Sequence, residues 1–525
     1  MKIGLKMLSV LFILSVLVLP NRISEMTPSA FGYFPLEALL LGLILLVRGS
    51  MGLIFRGLIS WLITAVIILK FADMGTYQAF DRPFNPVLDT HFWADGMNFL
   101  SGTLGQMSAY LVVLVLVGLI LGIIFLVYAA LGSIQALLIA RPKGSSAGLL
   151  AGLVVWGGLA IGGWPGASTP FYNLLTLHVR STLSSMADLD TFNKVVDSDP
   201  YVNVPNDALF EKLKGKDVLV LFVESYGRTV LDKPDYAAHI RPLLAQSTTQ
   251  LAAHNILVRS AYLTSPTYGG ISWLAHGTLL SGLWINSQTR YDRLVMSKRQ
   301  ALNRLFQRAG WRTVTLQPAH TMAWPQGAYF GYDQIYAASD LGYRGETFNW
   351  ITMPDQYTLS ALQVRERKAE PRPPVMAEIA LISSHAPWTP LPQLIEWNQV
   401  GDGSIFSQQA RIGDTPEVVW QNTEQIKAQY RKSIEYSLAT IVSYALTYAD
   451  DNLVMLVLGD HQPMPFVTGE SESHEVLVHL ISRDPGVMAA VQSWNWTVGM
   501  LPANDAPVWG MDTLRDRFIA AFSRE

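Results

Sequence analysis

Charge is spread so unevenly along the 525 residues that the two parts of the chain must fold in different solvents. Up to residue 165 there are nine basic and six acidic side chains, and the remainder carries 29 and 35. A transmembrane helix needs roughly 20 mostly apolar residues. Windows near that length read at 5–20, 34–47, 52–69, 107–130 and 147–164, the first two being the shortest. Lys2 and Lys6, Arg48 and Arg56, and Arg141 and Lys143 fall on one side if all five windows span, and by the excess of cations on cytoplasmic loops that side is the cytoplasm. Arg22, Lys70, the segment 71–106 and everything after Trp164 then lie on the other side. Lys2 and Lys6 also suit a signal peptide, but no small-x-small cleavage motif follows Leu19, so a retained first span is expected. Glu37 and Arg56 sit near window ends, where charged side chains reach the interface.

Charged residues make up 15% of the whole chain against about 25% in ordinary soluble domains, which agrees with a membrane half. A net charge of −3 without a basic run argues against a nucleic-acid partner, since phosphate binding needs clustered Lys and Arg. Zero Cys excludes disulfides, zinc thiolate sites and thiol nucleophiles, and it fits either side of a membrane.

From Lys216 onward short apolar runs alternate with helical stretches. The run 217–223, Asp-Val-Leu-Val-Leu-Phe-Val, suits a strand buried on both faces, and similar runs occur at 311–316, 377–382, 453–458 and 476–481. Helical patterns at 299–309, 424–448 and 512–522 lie between and after them. This order predicts an α/β domain with a mostly parallel central sheet. The expected organisation is a transmembrane domain over 1–165 with about five helices, a linker over 166–215 whose 188–206 is rich in Asp, Asn and Pro, and a catalytic domain over 216–525.

Ligands of such sheets gather at the carboxyl ends of strands. Glu224 follows the first run, Ser383-Ser384-His385 the middle one, and Asp460-His461 the run 453–458. Carboxylates with an imidazole suit one divalent metal, Zn²⁺ or Mn²⁺ rather than Ca²⁺ or Mg²⁺. A nucleophile belongs beside them. The Gly-rich turn and probable helix from Thr264 to Gly282 offer Thr267 and Ser272, where a helix N-terminus and a metal would both favour an ionised hydroxyl.

The arrangement resembles the alkaline phosphatase and sulfatase superfamily, and most closely its membrane branch of lipoteichoic acid synthases and phosphoglycerol transferases. Phe222-Val-Glu224-Ser-Tyr-Gly-Arg228 looks like the family's first metal-ligand motif and Leu458-Gly-Asp460-His461 like its last. Ser383-Ser-His385-Ala-Pro-Trp388 resembles the substrate-binding histidine motif. In sulfatases the nucleophile precedes a Leu-Leu-Thr-Gly-like ending whose Gly lies ten residues on, and Ser272 to Leu279-Leu280-Ser281-Gly282 has that spacing. Thr267 remains the alternative, because Thr is the usual nucleophile of the membrane branch.

Departures narrow the reading. Sulfatases carry Pro or Ala two residues after the nucleophile and Arg four after it, where this chain has Leu274 and His276, so a sulfate ester is not the expected substrate. Lipid A phosphoethanolamine transferases have a similar layout but are typically disulfide-rich. Lipoteichoic acid synthases place Arg two residues after a Trp, whereas Trp324 is followed by Pro325 and Gln326. The resemblance implies a phosphotransferase of the bacterial cytoplasmic membrane with an extracytoplasmic catalytic domain. Glu224, Ser272, Asp460 and His461 would bind the metal, Ser272 would be the nucleophile and His385 an acid or phosphate ligand. Trp324, His320, His276 and Gln317 would line the substrate pocket. The expected partners are the bilayer, a phospholipid donor and a glycan or lipid acceptor. A phosphodiesterase or phosphatase using water, and a catalytically inactive membrane scaffold, are the competing readings.

Overall fold

The computed structural model describes residues 2–80, 82–89, 92–93, 96–97, 100–101, 105–164, 166–321, 324–469 and 473–524; parts of the segment 71–106 therefore lie outside the described residues. The chain forms two compact units, Met1–Asp188 and Leu189–Glu525.

Helices in the first unit occupy Lys2–Val18, Leu36–Ile44, Gly49–Phe80, Gln106–Ala140 and Pro142–Ile161. The last three are long and apolar enough to cross a membrane, while the first has 17 residues and the second nine. The window 34–47 is thus not a span-length helix. Pro35 precedes the helix, and a turn closes it by Val47. The short helix still carries the chain between two ends of the unit. Phe34–Pro35 (β1) pairs in parallel with Ala167–Ser168 (β2) at one end, and Arg48 donates to the Ile139 carbonyl at the other. Phe125 is 73% exposed and Ile161 91%, a display of apolar surface that suits hydrocarbon rather than water. Glu37 accepts from the amides of Phe171 and Tyr172, and Arg56 stacks over Tyr128. The stretch read from composition as linker contains the 26-residue helix Pro170–Val195.

The second unit is built on a nine-stranded sheet. Its strands are Asp217–Val223 (β3), Leu257–Thr264 (β4), Arg312–Gln317 (β5), Gln334–Ala337 (β6), Val375–Leu381 (β7), Leu453–Gly459 (β8), Glu475–Ser482 (β9), Thr497–Val498 (β10) and Val508–Gly510 (β11). They run in the order β10-β4-β9-β8-β3-β7-β5-β6, with β11 on β4. The centre is parallel, as expected. The run 476–481 differs, because β9 is antiparallel to both β4 and β8.

β3 is buried along its length, and its side chains alternate between two cores. Leu219, Leu221 and Val223 face one, and Val218, Val220 and Phe222 face the other. The helices Pro234–Ala253 and Thr423–Tyr448 cover the first face, and Ser272–Ser281 and Met511–Phe522 the second. Asn422 caps Thr423–Tyr448 by accepting from the amides of Glu424 and Gln425. The register fixes what matters for the site: Val223 lies opposite Leu381 on β7 and Gly459 on β8. The polar residues that follow these three strands therefore emerge level with one another.

Candidate active site

Glu224, Asp460 and His461 bring ligand atoms within 4.8 Å of one another, all in buried residues. The turn after β3 holds Ser225 at φ 57°, which lets its amide donate to Asp460 Oδ1 at 2.8 Å while its hydroxyl donates to Glu224 Oε1 at 3.0 Å. Gly459 is required where this turn crosses β8, because a Cβ there would run into the Tyr226 carbonyl. His461 donates its amide to Asp460 Oδ1 at 2.7 Å, and its Nδ1 meets the Gln462 carbonyl at 2.7 Å, which leaves Nε2 for the centre.

Ser272 opens the ten-residue helix Ser272–Ser281. It follows three residues of positive φ: Gly269 at 71°, Gly270 at 156° and Ile271 at 63°. A β-branched side chain in the left-handed region is strained, and such strain gathers at functional sites. The turn aims the Ser272 hydroxyl at Glu224 Oε2, to which it donates at 3.1 Å, and sets its Oγ 3.1 Å from His461 Nε2. Thr267 is placed differently. Its Oγ1 is buried without a hydrogen-bond partner and does not line the neighbouring cavity.

Electrostatics at this centre favour a cation. Burial and the adjacent Glu224 push Asp460 up to about 6. Burial works against the charged form of His461, yet Asp460 and Glu224 raise it to about 9. Burial is likewise outweighed at Glu224, whose carboxyl His461 and His385 hold well below the usual range. Two buried carboxylates are therefore sharing one imidazolium, and hard oxygen donors with one imidazole nitrogen form a set that fits a divalent metal.

The cavity beside the centre has a volume of about 420 Å³. His385 lines it, with Nδ1 2.5 Å from the Ala386 carbonyl and the ring stacked on Trp350. His276 lies one helical turn beyond Ser272, stacked on Phe222 at 3.8 Å, with Nδ1 2.7 Å from Glu378 Oε1. Tyr332 donates to the other oxygen of Glu378. Trp324, His320 and Gln317 also line the cavity, and burial with His276 nearby pushes His320 down. The structure thus brings the predicted residues together, apart from Thr267. Glu378, Tyr332 and Trp350 escaped the sequence reading, although a Glu inside a strand otherwise made of apolar residues was a usable signal. No Lys or Arg lines this cavity among the described residues.

The family model for sulfatases matches residues 216–492, more than half of the chain, and the chain belongs to the sulfatase family. This agrees with the superfamily resemblance of its motifs. A search of curated proteins finds no match. Among solved structures the chain is similar to the integral membrane lipooligosaccharide phosphoethanolamine transferase A of Neisseria meningitidis, at 14% identity over 98% of this chain and 95% of that one, with a TM-score of 0.47. It is also similar to the lipoteichoic acid synthase LtaP of Listeria monocytogenes, at 14% identity over 64% and 78%, TM-score 0.40. The phosphoglycerol transferase GacH of Streptococcus pyogenes, in complex with sn-glycerol-1-phosphate, aligns at 11% identity over 65% and 91%, TM-score 0.37.

Proposed function

We propose that the protein is a metal-dependent phosphotransferase of the bacterial cytoplasmic membrane, moving the headgroup phosphate of a phospholipid to a glycan or lipid acceptor through a covalent Ser272 intermediate. The observation that carries this reading is the Ser272 hydroxyl within 3.1 Å of both Glu224 Oε2 and His461 Nε2. Glu224, Asp460, His461 and Ser272 would hold one divalent metal, Mn²⁺ or Zn²⁺, which when bound supplies positive charge that favours the serine alkoxide and polarises phosphoryl oxygens.

Ser272 Oγ attacks phosphorus as the bond to the lipid oxygen breaks, and diacylglycerol leaves. His385 spends Nδ1 on the Ala386 carbonyl, so its Nε2 is the atom that protonates the departing oxygen. Left neutral, His385 Nε2 takes the proton of an acceptor hydroxyl as that oxygen attacks the phosphoserine, and the bond to Ser272 Oγ breaks to return the alkoxide. The N-terminus of the helix behind Ser272 favours negative charge on Oγ and on the transferred phosphate throughout. Lys6, Arg48, Arg56, Arg141 and Lys143 on the cytoplasmic side would place the domain after Trp164 outside, where a lipid of the outward leaflet is the donor within reach.

The test is full-length protein reconstituted with a phospholipid bearing a fluorescent headgroup, with and without chelator. Metal-dependent diacylglycerol release with label on a larger acceptor is the expected result. Label released only as a soluble monomer would establish the hydrolase instead, and no release with any divalent metal would refute both.

A further inference from the structure

Glu378 stands in the middle of β7, opposite Val220 on β3 and Thr315 on β5, and is 1% exposed. Met376, on the same side of the sheet, packs in the core that the helix Ser272–Ser281 covers. A carboxylate buried there is costly unless both oxygens are hydrogen-bonded and the charge is met. Both oxygens are used: His276 Nδ1 lies 2.7 Å from Oε1, Tyr332 donates to Oε2, and His276 is the basic side chain paired with the carboxylate. Packed apolar residues would serve the fold at least as well as this buried pair, so the pair points to a use of His276.

His276 has one nitrogen left to offer. Glu378 takes Nδ1, and the ring stacks on Phe222 at 3.8 Å and 13°, so the imidazole is fixed both in its plane and in its tilt. Nε2 has no protein partner among the described residues, and it opens on the active-site cavity that His276 lines. The helix turns that nitrogen toward the nucleophile. Residues one turn apart share a face and side chains lean toward the helix N-terminus, so His276 reaches back toward Ser272, near enough to the centre for Asp460 to feel its charge. A phosphoryl group on Ser272 Oγ keeps its negative charge through the reaction, and no Lys or Arg lines the cavity among the described residues to meet it.

We propose that Glu378 is a positioning residue that holds His276 Nε2–H against a non-bridging oxygen of the phosphoryl group, both in the donor and in the phosphoserine. Between the carboxylate on Nδ1 and the phosphoryl oxygen on Nε2 the ring is charged and donates from both nitrogens. Tyr332 fixes the carboxylate from its other oxygen. The assignment rests on the reading of Ser272 as the residue that carries the phosphoryl group, and it adds a binding contact that the chain's own side chains supply.

A double-mutant cycle on phosphate affinity tests this, read by titration calorimetry of inorganic phosphate into full-length protein carrying one equivalent of Zn²⁺, with no lipid and no turnover. His276→Leu removes both nitrogens, keeps an apolar contact for Phe222, and should weaken phosphate by about tenfold or more. Glu378→Gln keeps an acceptor for Tyr332 and loses the charge. It should weaken phosphate about fivefold in the wild type and by less than about twofold in the His276→Leu background, because it acts through the histidine. A Glu378 that only supports the fold would cost the same in both backgrounds, and that additivity would overturn the proposal. So would unchanged affinity in His276→Leu, no phosphate binding by the wild type, or loss of the metal from either variant, since the pair would then serve the metal centre. If Glu378→Gln does not fold, Tyr332→Phe takes its place in the cycle, and the same dependence on His276 is expected. Phosphate coupling in a protein that transfers no headgroup would count against the transferase and leave this assignment standing. Normal transfer with phosphate affinity unchanged in His276→Leu would overturn this assignment alone.

Discussion

Metal affinity should depend steeply on pH, and the structure sets the slope. A metal needs His461 neutral and Asp460 ionised, yet in the metal-free protein the two carboxylates raise the first to about 9, against burial, and burial with Glu224 raises the second to about 6. A proton must therefore leave His461 whenever metal binds between pH 6 and 9. The sign follows: raised pKa values mean protons compete with metal, so affinity rises with pH and stops rising once His461 is neutral without help. One proton per metal corresponds to about a tenfold gain per pH unit, or roughly a thousandfold from pH 6 to 9; below pH 6 Asp460 adds a second proton and the slope approaches about a hundredfold per unit. Titration calorimetry of Mn²⁺ or Zn²⁺ at pH 7.5, in two buffers of different ionisation enthalpy, counts these protons. About one should come from His461, and any proton lost by Ser272 should appear as the difference between wild type and Ser272→Ala. Affinity unchanged across pH 6 to 9, with no proton released, would refute this account of the centre.

Three further outcomes are expected. Ser272→Ala should lose about three or more orders of magnitude in lipid turnover while Thr267→Ala loses far less, measured as diacylglycerol release; the reverse order would move the nucleophile to Thr267. Asp217 anchors the start of β3 to Arg367 and Arg372 and accepts from the Val375 amide, so Asp217→Ala should destabilise the catalytic unit by about 3–5 kcal/mol, seen as a lowered thermal midpoint. A reporter fused after Glu525 should behave as exported, and cytoplasmic activity there would remove an outward-leaflet donor from consideration.

Much of the framework was legible because β3 and β8 are buried on both faces and so read as unbroken apolar runs. β4 was not. Its Arg259 and Ser260 interrupt the run, and its place beside β9, β10 and β11 depends on partners remote in sequence. Composition likewise could not separate the nine-residue helix Leu36–Ile44 from a span, since both need the same leucines, nor find the helix Pro170–Val195 among polar residues. Glu224, Asp460 and His461 were readable because each directly follows an apolar run. Glu378 was hidden inside one, and its use shows once His276 from the helix Ser272–Ser281 and Tyr332 approach it.

The central claim is that Ser272 carries the transferred group, and intact mass spectrometry of the acid-quenched full-length enzyme tests it most directly. After incubation with metal and phospholipid, the account predicts a mass increase equal to the headgroup phosphate, mapped by peptide fragmentation to Ser272 and missing from Ser272→Ala. A turning-over enzyme whose adduct maps to Thr267, or whose Ser272→Ala variant still acquires the phosphate, would contradict it.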